Sequence, residues 1–96
     1  MITKYEIEQR LKELKSILSK KYNVKRIGYF GSFATDNATE TSDLDILVDF
    51  NQPIGWEFFD LQDLLFKNFN RNIDLVSINA LKSQLKDAIL KQVIFV

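Results

Sequence analysis

Apolar residues recur with helical spacing near the start of the chain: Ile7, Leu11, Leu14 and Leu18, with Lys, Arg, Glu and Gln between them. Steps of three and four residues put them on one helix face. Thr3-x-x-Glu6 is a capping box, and Ile2 with Ile7 can close a hydrophobic staple around it. The pattern predicts a helix from about Lys4 to Lys20. Val24 to Phe30 reads as a strand, ended by Gly31-Ser32, and the polar run 35–42 reads as a loop or single helical turn. Leu44 to Phe50 is a second strand with an informative alternation. Leu44, Ile46, Val48 and Phe50 share one face, while Asp43, Asp45, Leu47 and Asp49 share the other.

Asn51 to Gly55 holds the only proline and reads as a turn. Trp56 to Phe69 follows as a second helix, expected to be well buried through Trp56, Phe59, Leu64 and Phe66. After a polar connector, Ile73 to Ser77 is a third short strand. A last helix is predicted from Asn79 or Ala80, carrying Leu81, Leu85, Ile89 and Val93, and the apolar Ile94-Phe95-Val96 should pack against something. The order of elements points to an α/β (α+β) fold: a small mixed sheet of about three strands covered by helices. The helices are expected on one face, and the acidic residues at an open edge or cleft. With no repeat or linker in the sequence, residues 1–96 are expected to form a single domain.

At 46% hydrophobic, with eight Phe, three Tyr and one Trp, the chain can bury a real core, to which Tyr29 and Trp56 are assigned. Thirteen Lys+Arg balance thirteen Asp+Glu, so the basic footprint of a nucleic-acid binder is missing and direct nucleic-acid binding is not expected. The charge is nevertheless uneven: residues 1–26 carry eight cations against three glutamates, leaving the rest of the chain acidic. Such a run is ordinarily a solvated helix face, or else a surface for an acidic partner or for phosphates. Cysteine and histidine are both absent, which excludes disulfides, thiolate zinc sites, thiol nucleophiles and imidazole catalysis. Any chemistry must run on carboxylates, hydroxyls, lysine, arginine and metal. No apolar run is long enough to span a bilayer and no signal segment is evident, so a cytoplasmic setting without a membrane partner is expected.

Asp43 and Asp45, two apart on a strand, leave the same face roughly 6.5–7 Å apart along the chain. Carboxylates that close repel unless something positive joins them. Magnesium, a hard ion bound by one or two carboxylates plus substrate phosphates, suits the pair. Asp74 on the third strand could complete a two-metal set. Asp49, about 13 Å further along its strand, is too distant to share that metal and is read as an exposed strand-end residue. Asp36 and Glu40 are read as loop solubilisers. Gly31 permits close backbone approach to a ligand, and the amides and hydroxyl around Ser32 are donors for phosphate oxygens. Either motif alone is common turn or surface chemistry.

In combination, these residues resemble a family. Gly31-Ser32, a gap of ten residues and Asp43-x-Asp45, set between strands, resemble the nucleotidyltransferase superfamily that includes DNA polymerase β. Phe30-Gly-Ser-Phe-Ala34, Ser42-Asp-Leu-Asp-Ile-Leu-Val48 and Ile73-Asp-Leu-Val76 are similar to its minimal branch, the MNT proteins. The resemblance implies the nucleotidyltransferase fold and a magnesium-dependent enzyme, with two Mg2+ ions on the catalytic ligands Asp43, Asp45 and Asp74. Gly31 and Ser32 would bind the nucleoside triphosphate. It further implies transfer of AMP from ATP to a tyrosine of a HEPN ribonuclease, silencing that toxin. Two other readings stay open: a non-catalytic module that silences its partner by contact, and a small-molecule nucleotidyltransferase. The family often has Ala-Arg-Gly where this chain has Ala34-Thr35-Asp36, and often a glutamate near Lys91-Gln92, where this chain has none.

Overall fold

The computed structural model describes every residue, Met1–Val96. The first helix, α1 (Lys4–Tyr22), starts where the capping box predicts: the Glu6 N–H donates to Thr3 Oγ1 at 3.1 Å. It ends one turn-fraction later than expected, at Asn23, whose left-handed backbone (φ 56°) closes the last turn.

Four strands, β1 (Val24–Phe30), β2 (Leu44–Phe50), β3 (Ile73–Ser77) and β4 (Ile94–Phe95), form one mixed sheet in the order β3-β2-β1-β4. β1 and β2 are antiparallel; β2 and β3 are parallel and are joined through α2 (Glu57–Phe69). Parallel neighbours require such a crossover. The fourth strand exceeds the three expected from sequence. Ile94 and Phe95 pair antiparallel with Tyr29 and Gly28, and the Val96 N–H donates to the Ile27 carbonyl at 2.9 Å. Gly28 makes this possible, because a Cβ there would press into the backbone of Ile94 and Phe95. The Arg26 guanidinium lies 4.4 Å from the centre of the Phe95 ring and holds the strand from the side.

Alternation along the strands divides the molecule. Ile27, Tyr29, Leu44, Ile46, Val48 and Leu75 meet Ile7, Leu11 and Leu18 of α1 and Leu61, Leu65 and Phe69 of α2 in a core of 16 buried residues. The opposite face carries Phe30 and Leu47, which join Ile78 and Ile89 in a cluster of four. Ile89 belongs to the last helix, α3 (Ser83–Gln92). Helices therefore cover both faces, where one was expected. Leu47 shares the face of the aspartates, and its burial demands a cover on that side.

Three further expectations are corrected. In α2 the buried stripe is Leu61, Leu65 and Phe69, spaced by four; Trp56, Phe59 and Phe66 project from the other side, and Trp56 is 83% exposed. The assignment of Trp56 to the core took its hydrophobicity without its phase. The last helix begins at Ser83, after a single 3-10 turn over Ile78–Ala80, which leaves Leu85 in solvent. Asp49 is no free strand end, since its Oδ2 accepts from Arg26 Nε at 3.0 Å. Tyr29 is in the core as expected; its hydroxyl donates to Glu8 Oε2 at 2.7 Å, and burial, then that carboxylate, push its phenol upward. No helix is long and apolar enough to cross a membrane.

Candidate active site

β1 stops because Gly31 turns the chain out of the sheet with a left-handed φ of 69°. A single 3-10 turn, Gly31–Phe33, follows. The Gly31 carbonyl accepts from the Ala34 and Thr35 amides at 3.1 and 3.0 Å and from the Thr35 hydroxyl at 3.0 Å, so the turn is braced from within. The glycine serves a neighbour as well as the backbone, because a Cβ at position 31 would overlap the Asp45 carboxylate. The space a side chain would take at position 31 is held by Asp45. Ser32 sits half-buried in the same turn.

Strand register assembles the acidic residues. Asp45 lies opposite Phe30 on one side and opposite Asp74 on the other. Since adjacent strands run about 4.8 Å apart, the two carboxyl groups come side by side on one face of the sheet. Asp45 is half-buried, while Asp43, just ahead of β2, and Asp74 are exposed at the rim. Burial, then the charge and hydrogen bond of Asp74, then the charge of Asp43, push the Asp45 carboxyl up to about 6. As the side chains stand, Asp43 acts on Asp45 through charge, and the three carboxylates do not close into a three-ligand cluster. The ion pairs of the chain use Asp36, Asp49 and Asp63, so none of these three is neutralised by lysine or arginine. Two carboxyl groups in contact, lacking a partner cation, can hold a proton or a hard cation between them. Oxygen-only donors suit magnesium in particular.

Two residues at the site were given no role by the sequence reading. Gln92, the last residue of α3, accepts the Gly31 N–H on its Oε1 at 2.7 Å. Arg71 donates from Nη1 to the carbonyls of Ser42 at 2.9 Å and Glu40 at 3.4 Å, and its guanidinium lies 5.1 Å from the centre of the Phe33 ring. It thereby ties the loop before Asp43 to the Gly-Ser turn. An arginine three residues ahead of the third-strand aspartate was the available signal. A hollow of about 380 Å³ beside it is bounded by Ser42, Asp43, Phe66 and Asn72. Another, of about 420 Å³, lies at the far end of the sheet among Phe50, Pro53, Ile54 and Phe58, and includes none of the three aspartates.

Residues 12–96 match the family described as polymerase beta, nucleotidyltransferase. The chain belongs to this family of nucleotidyltransferases. It is 38% identical over 97 residues to the protein adenylyltransferase MntA of Thermococcus cleftensis, a match that spans all of this chain and 98% of that one. It is 42% identical over 98 residues, the whole of both chains, to a provisionally named protein adenylyltransferase of Methanocaldococcus jannaschii. Among solved structures, a provisionally assigned minimal nucleotidyltransferase superposes with a TM-score of 0.84 at 26% identity, covering 97% of this chain and 95% of the other. A toxin–antitoxin crystal structure with AMP-PNP shares the fold at a TM-score of 0.77 and 20% identity, over 92% of this chain and 70% of that one. The expected fold and enzyme class are thereby established.

Proposed function

We propose that this nucleotidyltransferase is a protein adenylyltransferase, a single minimal domain that moves AMP from ATP onto the tyrosine hydroxyl of a HEPN-type toxin partner. The observation that carries the reading is the Asp45–Asp74 carboxyl pair, seated against Gly31 at the rim of the sheet without a cation to neutralise it. The acceptor class is supported by relatives that bear the name protein adenylyltransferase along their full length, and by the fold shared with a toxin–antitoxin structure. The setting would be the cytoplasm.

Asp43, Asp45 and Asp74 would hold magnesium, as two ions. Bound there, magnesium would offset phosphate charge and lower the pKa of the attacking hydroxyl. The Ser32 amide and hydroxyl in the Gly31-Ser32 turn would receive the triphosphate oxygens. Asp74, exposed beside Asp45, would take the hydroxyl proton. The acceptor oxygen bonds to the α-phosphorus as the bond to pyrophosphate breaks, and pyrophosphate departs along the Gly-Ser turn. The hollow beside Asp43 and Arg71 gives part of the reactants a place to rest.

The test incubates the protein with magnesium, ATP labelled on its α-phosphate and a HEPN partner. Wild type should label the partner, and Asp45→Asn should lower the rate roughly a thousandfold, since several kcal/mol of charge stabilisation go with one ligand. Robust labelling by Asp45→Asn would sink the metal-ligand assignment. An unlabelled but silenced partner would show a contact-only antitoxin instead.

A further inference from the structure

The Gly31 amide is already occupied. It points at the Oε1 of Gln92, 61 residues away in sequence, at 2.7 Å and partly out of solvent. The side chain that accepts it stands at the C-terminus of α3, where Ile89 anchors the helix beneath Leu47 and β4 follows at once. β4 is in turn fixed to β1 at Gly28 and Tyr29 and flanked by Arg26. Gln92 is thus a side chain with little freedom, delivered from the opposite end of the chain to the one residue whose left-handed backbone leaves room for Asp45.

We propose that Gln92 is a positioning residue of the transfer site: its carboxamide oxygen holds the Gly31 N–H and so presets the Gly-Ser turn, with Asp45 against it, before nucleotide arrives. The proposal rests on the nucleotidyl-transfer reading of the site. Gln92 acts by preorganisation. A glycine at positive φ can swing to other conformations at small cost. A turn free to do so must be ordered by the ligand at the expense of affinity. The internal bonds of the turn run through the Gly31 carbonyl and leave its N–H for another partner. Gln92 supplies that partner without adding a charge beside Asp45, whose neighbours Asp43 and Asp74 already repel it. Because it touches neither of those carboxylates by any hydrogen bond of the structure, its influence passes through the glycine.

Two variants separate positioning from mere capping. Gln92→Met keeps the length and packing but gives up a strong acceptor; Gln92→Glu keeps the acceptor. Amide hydrogen exchange is followed in the ligand-free proteins, and AMP-PNP is titrated in the presence of magnesium. Gln92→Met should speed exchange at Gly31 at least about tenfold, leave the β2 amides unchanged, and weaken AMP-PNP about fivefold to tenfold, the worth of one well-placed hydrogen bond. Gln92→Glu should keep Gly31 protected, because a charged acceptor bonds an amide at least as well, and its readout is exchange alone, since the added charge beside Asp45 acts on AMP-PNP by a separate route. Should Gln92→Met lose protection throughout β2, Gln92→Ala is read by the same criteria. The proposal is overturned if Gly31 exchange is indifferent to loss of the acceptor. It is equally overturned if exchange quickens while AMP-PNP binds as before, or if Gln92→Glu leaves Gly31 as unprotected as Gln92→Met does. A wild type that binds no AMP-PNP removes the nucleotide reading and this proposal with it, whereas normal wild-type binding with indifferent variants removes this proposal alone.

Discussion

On one face of the sheet, Ile27, Tyr29, Leu44, Ile46, Val48 and Leu75 lie under two helices. On the other, Phe30 and Leu47 are covered by α3, and past them the face opens onto Asp45 and Asp74. The two faces are made by alternate residues of the same strands, one step out of phase. Ile46 is fully buried while its neighbour Asp45 meets another carboxylate at the rim. Stability is thereby concentrated on the thick face, which leaves the thin face free to carry repulsive charge. A slip of one residue in β2 would exchange the two roles entirely, and burial on the thick side is what forbids it.

The largest effect on stability should come from the thick face. Ile46→Ala should lower unfolding free energy by roughly 4 kcal/mol and Ile89→Ala, on the thin face, by roughly 2 kcal/mol, both within the usual span of about 2–5 kcal/mol for such truncations. Urea unfolding of both variants decides; equal losses would erase the contrast between the faces.

A smaller effect of opposite sign should come from Asp45. Its carboxyl is pushed up to about 6 from an ordinary 3.8, so between those values the folded protein binds more protons than the unfolded chain. Metal-free stability should therefore fall as pH rises through that window, with the penalty fully present above 6. At pH 7, Asp45→Asn should raise metal-free stability by about 1 kcal/mol, since water at the open rim weakens the repulsion. Melting curves of both proteins in EDTA from pH 4 to 7 should converge at the acid end. In the wild type, magnesium affinity should fall by up to roughly tenfold per pH unit below 6, as protons compete for the ligands. Calorimetric titration at stepped pH measures this directly.

The smallest effect belongs to neither face. Trp56 stands in solvent beside Phe59, with ring centres 5.8 Å apart. Trp56→Ser should change stability by less than about 0.5 kcal/mol. A larger loss in the same urea series would mean that the outer side of α2 belongs to the core after all.

Legibility from sequence followed the same division. The spans of β1, β2 and β3 were readable because alternation and a terminating glycine are local signals. β4 was not, since two residues have no period and the reason for Gly28 exists only once β4 lies beside it. Trp56 misled because an aromatic residue announces hydrophobicity but not orientation. At the site, Gly31, Ser32, Asp43, Asp45 and Asp74 stood out by type and spacing. That Asp45 faces Asp74 depends on a parallel register which no local pattern encodes. Gln92 and Arg71 act across 61 and 29 residues, so neither contact could be read from local spacing, although the place of Arg71 three residues ahead of Asp74 was visible.

The late position of Gln92 has a consequence for synthesis. A ribosome extends the chain at about 5–20 residues per second, so the acceptor for the Gly31 amide is made roughly three to twelve seconds after the glycine itself. Through that interval the nascent chain can display its aspartates but lacks α3 and β4, the elements that hold the turn. Nucleotide would thus meet a finished pocket only once the final helix has left the exit tunnel. A fragment ending before α3 would carry the acidic motif without the elements that hold its turn.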